Sequence, residues 1–341
     1  MARIAIVGAG IAGLTLARRL APQHTVTVYE KSRGPGGRMA TRYAGDFEFD
    51  HGAQYFTART RAFREFLEPL IGEGLISPWR ARCVEISPTG AVIQRAGDES
   101  EPRYVGVPRM NVFGKALAGG LDIRFGTEVE RVEWSGTGWR LLLADTPEPV
   151  DTDWLLVTTP LPQAKALLAD VEGFGAAVGD RQMLGCFSLM LGFESPPALA
   201  FDAALVSGAD IRWIAVNSSK PGRGPASTMV VHAANRWTDA NIEVELDAVR
   251  EHMLNEVHRV TGMRAADAVH QGIHRWRFAN AAKADGASHF LAPRQRLGVA
   301  ADWWLGGKVE SAFTSADGLS NELEALLGQA PERTFCANRA Q

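Results

Sequence analysis

The sequence predicts an α/β fold in two parts, and three observations predict it. Near the start, the short apolar run RIAIV is followed by the glycine-rich GAGIAG and then by LTLARRLA, whose apolar residues recur at helical spacing. Strand, glycine turn and helix in that order open a βαβ unit. Near the end, Leu297 to Ala300 again reads as a short strand, followed by Asp302, a glycine loop and a helix from about Lys308. Between the two ends, CFSLMLGF, IRWIAV and TMVVHA read as strands separated by Ser-, Gly- and Pro-rich turns such as SSKPGRGPAS. The ends therefore predict one Rossmann-like nucleotide-binding domain. The middle predicts an inserted α+β domain on a mostly antiparallel sheet with helices on one side. The expected segments are 1–60, 105–160 and 290–331 for the first domain, and 61–104 and 161–289 for the second.

Taken in order, Arg3 to Val7 suits a buried parallel strand. Gly8, Gly10 and Gly13 fit GxGxxG: the first allows the tight turn, the second lets backbone approach a pyrophosphate, and the third lets helix and strand pack closely. Ile11 and Ala12 open the helix, whose N-terminus offers bare N–H groups and a positive dipole end to an anion. Leu14, Leu16, Ala17 and Leu20 form its apolar stripe, Arg18 and Arg19 lie outside it, and Pro22 stops it. Thr25 to Tyr29 is the second strand. Glu30 stands at its end, about 20 residues past the first glycine, where a carboxylate accepts from ribose hydroxyls and repels a 2′-phosphate. Lys31 follows it, and then the loop RGPGGRMAT, in which Gly36 and Gly37 permit close approach, Arg38 offers a charged fork suited to a diphosphate, and Met39 comes next.

A helix is expected around Arg61 to Leu70, and WLLVTTP should return the chain to the first domain, ending at Pro160. In the middle, one helix is expected from Asp239 to about Val260, with Ile242, Leu246, Val249, Met253 and Val257 on one face and Gly262 at its end. Gln271 to Phe278 reads as a further strand.

Composition narrows the function classes. Lys plus Arg is 36 against 39 for Asp plus Glu, a net charge of −3, which argues against general nucleic-acid binding. Cys83, Cys186 and Cys336 are far apart, so neither a disulfide framework nor a metal site is expected; reduced thiols fit a cytoplasmic location. MARIAIVGAG lacks the pattern of a signal peptide, and no apolar run is long enough to span a membrane.

The acid, loop and Gly36-Gly37-Arg38 together resemble the second fingerprint of the FAD-dependent amine oxidase and phytoene desaturase-like flavoprotein superfamily. Over the whole chain, GAGIAGL, EKSRGPGGRMATR, FDHGAQYFTAR, HRWRFA and ADWWLGGKVESAFTS resemble the bacterial renalases. One departure is visible: Ser315 is followed by Ala316 and Asp317 before Gly318, where many relatives carry a glycine. The resemblance implies non-covalent FAD, held by the glycines Gly8, Gly10, Gly13 and Gly37 with Ile11, Ala12, Glu30, Lys31, Arg38 and Met39. It adds the Val129 backbone at the adenine, Asp302 at the ribityl chain, Lys308 and Val309 at the helix facing the flavin, and Gln54 and Tyr55 against its ring.

Substrate would then meet Tyr55, Phe56, Thr57, Arg59 and Arg61, where a hydroxyl and two cations suit a phosphate-bearing molecule. His232, Asn235, Trp237, Trp276 and Arg277 are further candidates, since aromatic walls could sandwich a flat ring. The reaction implied is oxidation of dihydro-NAD(P) carrying its hydride at ring position 2 or 6. The hydride goes to FAD and on to molecular oxygen, giving NAD(P)+ and hydrogen peroxide, with no essential acid or base. Two alternatives stay open: a flavin amine oxidase or desaturase on a small amine or apolar substrate, and a dinucleotide-binding flavoprotein without turnover.

Overall fold

A computed structural model describes residues 1–94 and 101–328; Cys336 and the end of the expected 290–331 segment lie outside these residues. A six-stranded sheet runs in the order Phe290–Ala292, Leu297–Val299, Trp154–Val157, Arg3–Val7, Thr25–Glu30, Asp122–Phe125. The last five are mutually parallel, and Phe290–Ala292 is an antiparallel edge. Arg3–Val7 is central and buried on both faces, which is why it reads as a continuous apolar run.

The helix Ile11–Leu20 covers one face and packs on the helix Val309–Gly328; Leu14, Leu16, Phe313, Ala316, Leu319 and Leu323 share that core. Here the Ala316–Asp317 departure finds its reason. Ala316 is fully buried in the core, and Asp317 makes an ion pair with Arg19 of the first helix. On the other face, Leu155, Val157, Trp303 and Trp304 form a second core with a three-stranded antiparallel sheet, Val129–Trp134, Trp139–Leu143 and Thr146–Thr152.

A seven-stranded sheet follows the order His270–Ala281, Met183–Phe193, Ser227–Ala233, Ile211–Val216, Ala203–Val206, Cys83–Ile86, Val92–Gln94. All its pairings are antiparallel except Ala203–Val206 with Cys83–Ile86. Phe187, Leu189, Leu191 and Val231 face a helical layer through Val249, Met253 and Val257. The opposite face, through Met190 and Val230, meets Phe49 and Phe47 of the hairpin Arg42–Ala44 and Phe47–Phe49.

Two differences from the sequence reading have physical causes. The single expected helix from Asp239 is two, Asn235–Ala240 and Leu246–Thr261. The Asn241 side-chain amide donates to the Trp237 carbonyl at 2.8 Å, taking the bond that the next turn would have used. Asp239 lies in the first helix and accepts from the Gly185 backbone at 2.7 Å. The strands Cys83–Ile86, Ala203–Val206 and Val92–Gln94 are too short to show a period, and only pairing makes them strands. No helix among the described residues is long and apolar enough to cross a membrane.

Gly13 holds the first helix against the glycine turn: a β-carbon there would run into the Gly8 carbonyl oxygen. Gly13→Ala is therefore expected to lower stability by about 1–3 kcal/mol, read as a lower urea midpoint; an unshifted midpoint would remove this account of the motif.

Candidate nucleotide site and inner wall

The carboxyl ends of the parallel strands build the nucleotide end. Gly8 turns the chain at φ +104°, and its N–H donates to the Tyr29 carbonyl at 2.8 Å. The helix Ile11–Leu20 starts at Gly10 with no side-chain cap and no acid in its first turn, and space is open beside Gly10. Unpaired N–H groups facing open space suit a diphosphate. Gly37, at φ +54°, lies against Gly10, and the Gly36 N–H donates to the Ala9 carbonyl, so the two glycine loops are stitched together.

Glu30 is buried and accepts from the backbone N–H groups of Ala9 and Ser32, both at 2.7 Å. These bonds aim the carboxylate while leaving lone pairs for ribose hydroxyls. The Glu30 carbonyl accepts from Thr127 N–H at 3.0 Å, which brings the strand beginning at Val129 alongside. Ile11 and Ala12 are buried at the helix start, Met39 is buried in the adjoining core, and Lys31 reaches Glu128 at the surface.

Arg38 and Asp302, far apart in sequence, form a bidentate pair at 2.8 and 2.5 Å, and Arg38 also donates to the Ala279 carbonyl at 3.0 Å. Glu310, in the first turn of the last helix, accepts from the backbone of Arg59 and Thr60. Its charge sits where the helix dipole favours it. Lys308 is exposed and Val309 half-buried at the same end.

The seven-stranded sheet turns its inner face toward this end. Ser188 lies opposite both His232 and His274, and Cys186 opposite Trp276, so all share the face away from the helices. The Trp276 indole donates to the His51 carbonyl at 2.9 Å, and the His232 Nε2 lies 3.2 Å from the same oxygen. His51 stacks on Trp276 and meets His274 edge-on. Further along, Tyr55 packs against Trp213, whose indole nitrogen is buried without a hydrogen-bond partner among the described residues.

Beneath lies a buried charged network. Asp50 pairs with Lys220 and Arg223 and accepts from Met110 N–H and Thr41; Lys220 also donates to Gln54 and Asn217. Burial alone would raise the Asp50 carboxyl, but the two cations outweigh it and bring it down to about 2. Burial pulls Lys220 down to about 8, against the attraction of Asp50. Burial also holds the wall histidines neutral: His51 falls to about 3, helped by His274 and Arg42, and His232 and His274 to about 4.

The expected substrate residues divide. Tyr55, His232 and Trp276 stand on the wall, with Gln54 folded into the charged network behind it and Thr57 half-buried nearby. Phe56 instead fills core with Phe63 and Phe113. Trp237 packs on Phe187 and His252 in the helical layer, on the far side of the sheet, and Asn235 donates to the Gly185 carbonyl. Arg59 pairs with Glu101, Arg61 with Glu65 and Arg277 with Glu243, so these cations are engaged.

His51, Asp50, Trp213, Lys220 and His274 were not singled out by the sequence. A β-bulge between Ile211 and Trp213 hid Trp213, because it breaks the alternation that would tell its face.

Residues 62–320 match the family described as flavin containing amine oxidoreductase, and residues 6–70 match the NAD(P)-binding Rossmann-like domain. A 4,4'-diapophytoene desaturase of Staphylococcus aureus strain Newman is 36% identical over 77 residues, 19% of this chain and 15% of that protein. Its counterpart in strain MRSA252 is 47% identical over 51 residues, 15% of this chain and 10% of that protein. The matched stretch is thus a small part of either relative. A structure named for protoporphyrinogen oxidase, from Exiguobacterium sp. 255-15, superposes with TM-score 0.78 at 14% identity, covering 95% of this chain and 99% of that one. Wild-type putrescine oxidase bound to putrescine gives 0.66 at 12% identity, covering 95% and 99%. At such identities the likeness is one of fold.

Two outcomes are expected. Asp50→Asn leaves Lys220 and Arg223 buried without their counter-charge, which costs about 3–5 kcal/mol in urea unfolding. The neutral wall makes stability acid-sensitive. Unfolded histidines take up protons below their ordinary 6.5 while the buried ones do not. The melting temperature should therefore hold above that pH and fall as pH drops toward about 4. His274→Gln should flatten the fall; an equally steep fall in the variant would count against it.

Proposed function

Because this chain belongs to the flavin containing amine oxidoreductase family, we propose that it is an oxidase of isomeric dihydro-NAD(P), of the kind met in the bacterial renalases. Its cofactor is FAD, and Gly8, Gly10, Gly13, Glu30, Gly37, Arg38, Asp302 and Val309 would hold it. The open, uncapped helix start and the aimed Glu30 carboxylate fit that nucleotide. Bound FAD supplies the two-electron acceptor that takes the hydride of a dihydronicotinamide and hands the electron pair to molecular oxygen, yielding NAD(P)+ and hydrogen peroxide.

The chain's part is to bind, orient and exclude water. In this reading segments 1–60, 105–160 and 290–331 carry the nucleotide, and 61–104 and 161–289 carry the substrate. The observation that carries the proposal is the inner wall of Tyr55, Trp213, His232, His274 and Trp276, an aromatic surface whose histidines burial keeps uncharged at neutral pH. A dihydronicotinamide becomes cationic as its hydride leaves. Neutral imidazoles do not repel that charge, as imidazolium would, and indole faces attract it.

An amine oxidase would also use an aromatic cage, so the wall alone supports both readings. A phosphate-bearing substrate is favoured by Arg42, exposed at the rim beside His274 with no carboxylate partner among the described residues. Arg42 thus takes the part that Arg59 and Arg61 have in the sequence reading, since those two are engaged by glutamates.

The test is to mix anaerobic oxidised holoprotein with 2- and 6-dihydro-NAD(P) and, separately, with small amines. Rapid bleaching of the flavin band by the dihydronicotinamides, with peroxide on admitting air, is expected. Bleaching by amines alone would replace this reading with the amine oxidase one.

A further inference from the structure

After Ala281 the chain leaves the seven-stranded sheet, and it rejoins the six-stranded sheet at Phe290–Ala292. On the way it crosses the turn Gly306–Gly307, immediately before Lys308 and Val309. The crossing is close. A β-carbon on Gly306 would stand 3.0 Å from the Lys283 Cα, and one on Gly307 2.5 Å from the Ala281 nitrogen. The turn beneath is fixed, because the Asp302 carbonyl accepts from the N–H groups of Leu305, Gly306 and Gly307 at 3.0, 3.0 and 3.1 Å.

The crossing segment itself is weakly held. Among the described residues, no backbone N–H from 283 to 287 has a hydrogen-bond partner, and Lys283, Asp285 and Gly286 are exposed. The Asp285 carbonyl accepts from Arg181 Nη2 at 3.3 Å. Arg181 is well anchored: its Nη1 donates to the carbonyls of Ala177 and Val178, and its guanidinium lies 4.9 Å from the Trp304 ring. Both ends of the segment are firm. Arg38 holds the Ala279 carbonyl on one side, and on the other Ser315 donates to the Ser288 carbonyl and His289 reaches Glu322. Gly286, at φ +110°, offers a pivot that other residues would strain to adopt. A groove of about 420 Å³ opens between this segment and Asp180, Gln182 and Leu184, with Trp303 in its lining.

A segment with few bonds, firm ends and room beside it opens locally at low cost. We propose that residues 282–286 form a strap, latched by Arg181, that gates the entry and release of FAD. Lifting the strap toward the groove uncovers the Gly306–Gly307 turn, and with it the start of the helix given above to the cofactor. The inference rests on that placement of FAD and not on the substrate. The Arg181 bond belongs to the closed strap whether the nucleotide site is filled or empty. Weakening it therefore lowers the barrier in both directions and leaves the binding equilibrium alone.

The experiment follows FAD uptake by the apoprotein in stopped flow and FAD release from the holoprotein after dilution, both by flavin fluorescence. Arg181→Met should raise the two rates by the same factor, about tenfold for the loss of one hydrogen bond, with the dissociation constant unchanged. Gly286→Ala strains the closed strap at its pivot and should act the same way; its added carbon meets only Arg181, at 3.7 Å, so the melting temperature should stay at the wild-type value. Trypsin should cut after Lys283 faster in both variants. If Arg181→Met does not fold, Gly286→Ala carries the test.

Exchange rates equal to wild type would overturn the gate. A rise in release alone, with weaker binding, would make Arg181 part of the binding site instead, and faster exchange without faster cleavage after Lys283 would place the gate elsewhere; either result removes the strap. Turnover of the dihydronicotinamides is scored separately. A protein that does not oxidise them but exchanges FAD as described loses the oxidase reading and keeps the strap. One that oxidises them with unaltered exchange in the variants keeps the oxidase reading and loses the strap.

Discussion

The guanidinium of Arg38 holds three remote parts of the chain in one place. It grips the Asp302 carboxylate with two nitrogens and the Ala279 carbonyl with one, so the loop after the second strand, the turn before the last helix and the end of the longest strand of the seven-stranded sheet meet there. A planar bidentate fork fixes orientation as well as distance, which a lysine would not do. Gly52 adds to this junction: any side chain there would strike the Arg38 carbonyl. The segment leading to Tyr55 is thereby pressed against the nucleotide loop, and the inner wall stands beside the nucleotide end rather than apart from it.

The second constraint is the Asp50 network. A buried carboxylate between two buried cations is a weak source of net stability, because desolvation offsets the attraction. Its effect here is positional. Asp50 stands between Phe49, which packs on Met190 and Val230, and His51, which lies on Trp276. Holding Asp50 to Lys220, Arg223 and Met110 N–H fixes the register of that short stretch against the sheet. The result is a charged layer behind a neutral one: fixed ions beneath, and imidazoles and indoles kept free of charge in front. In the proposed reading, a flavin and a substrate ring that gains positive charge are well served by a wall that adds no charge of its own.

The nucleotide end was legible because its signals are local. Gly8, Gly10 and Gly13 meet backbone needs set by residues a few positions away, and Glu30 ends the strand that follows. Strand runs such as Ile211–Val216 were equally plain, since β-branched and aromatic residues declare themselves within a few positions. The wall was only partly legible. Trp276 and His232 were found as aromatic or polar residues in strands, but Trp237, with the same credentials, belongs to the helical layer. The register shifts near Trp213 and Cys186 alter which side chains face inward, and no window of sequence shows a bulge.

The sequence alone thus determined the class of fold, the nucleotide fingerprint and its acid, because these depend on backbone geometry within a single turn or strand. Tertiary structure decided what stands beside those glycine loops. His51, Ser188, Trp213, His232, His274 and Lys220 become neighbours only through the order and register of the sheet strands and the loops that join them. It also decided which arginines are engaged, since Arg59 meets Glu101 and Arg38 meets Asp302 across distances in the chain that no local pattern spans. Charge and burial are properties of the assembled neighbourhood, and a side chain's chemistry follows from them rather than from its place in the sequence.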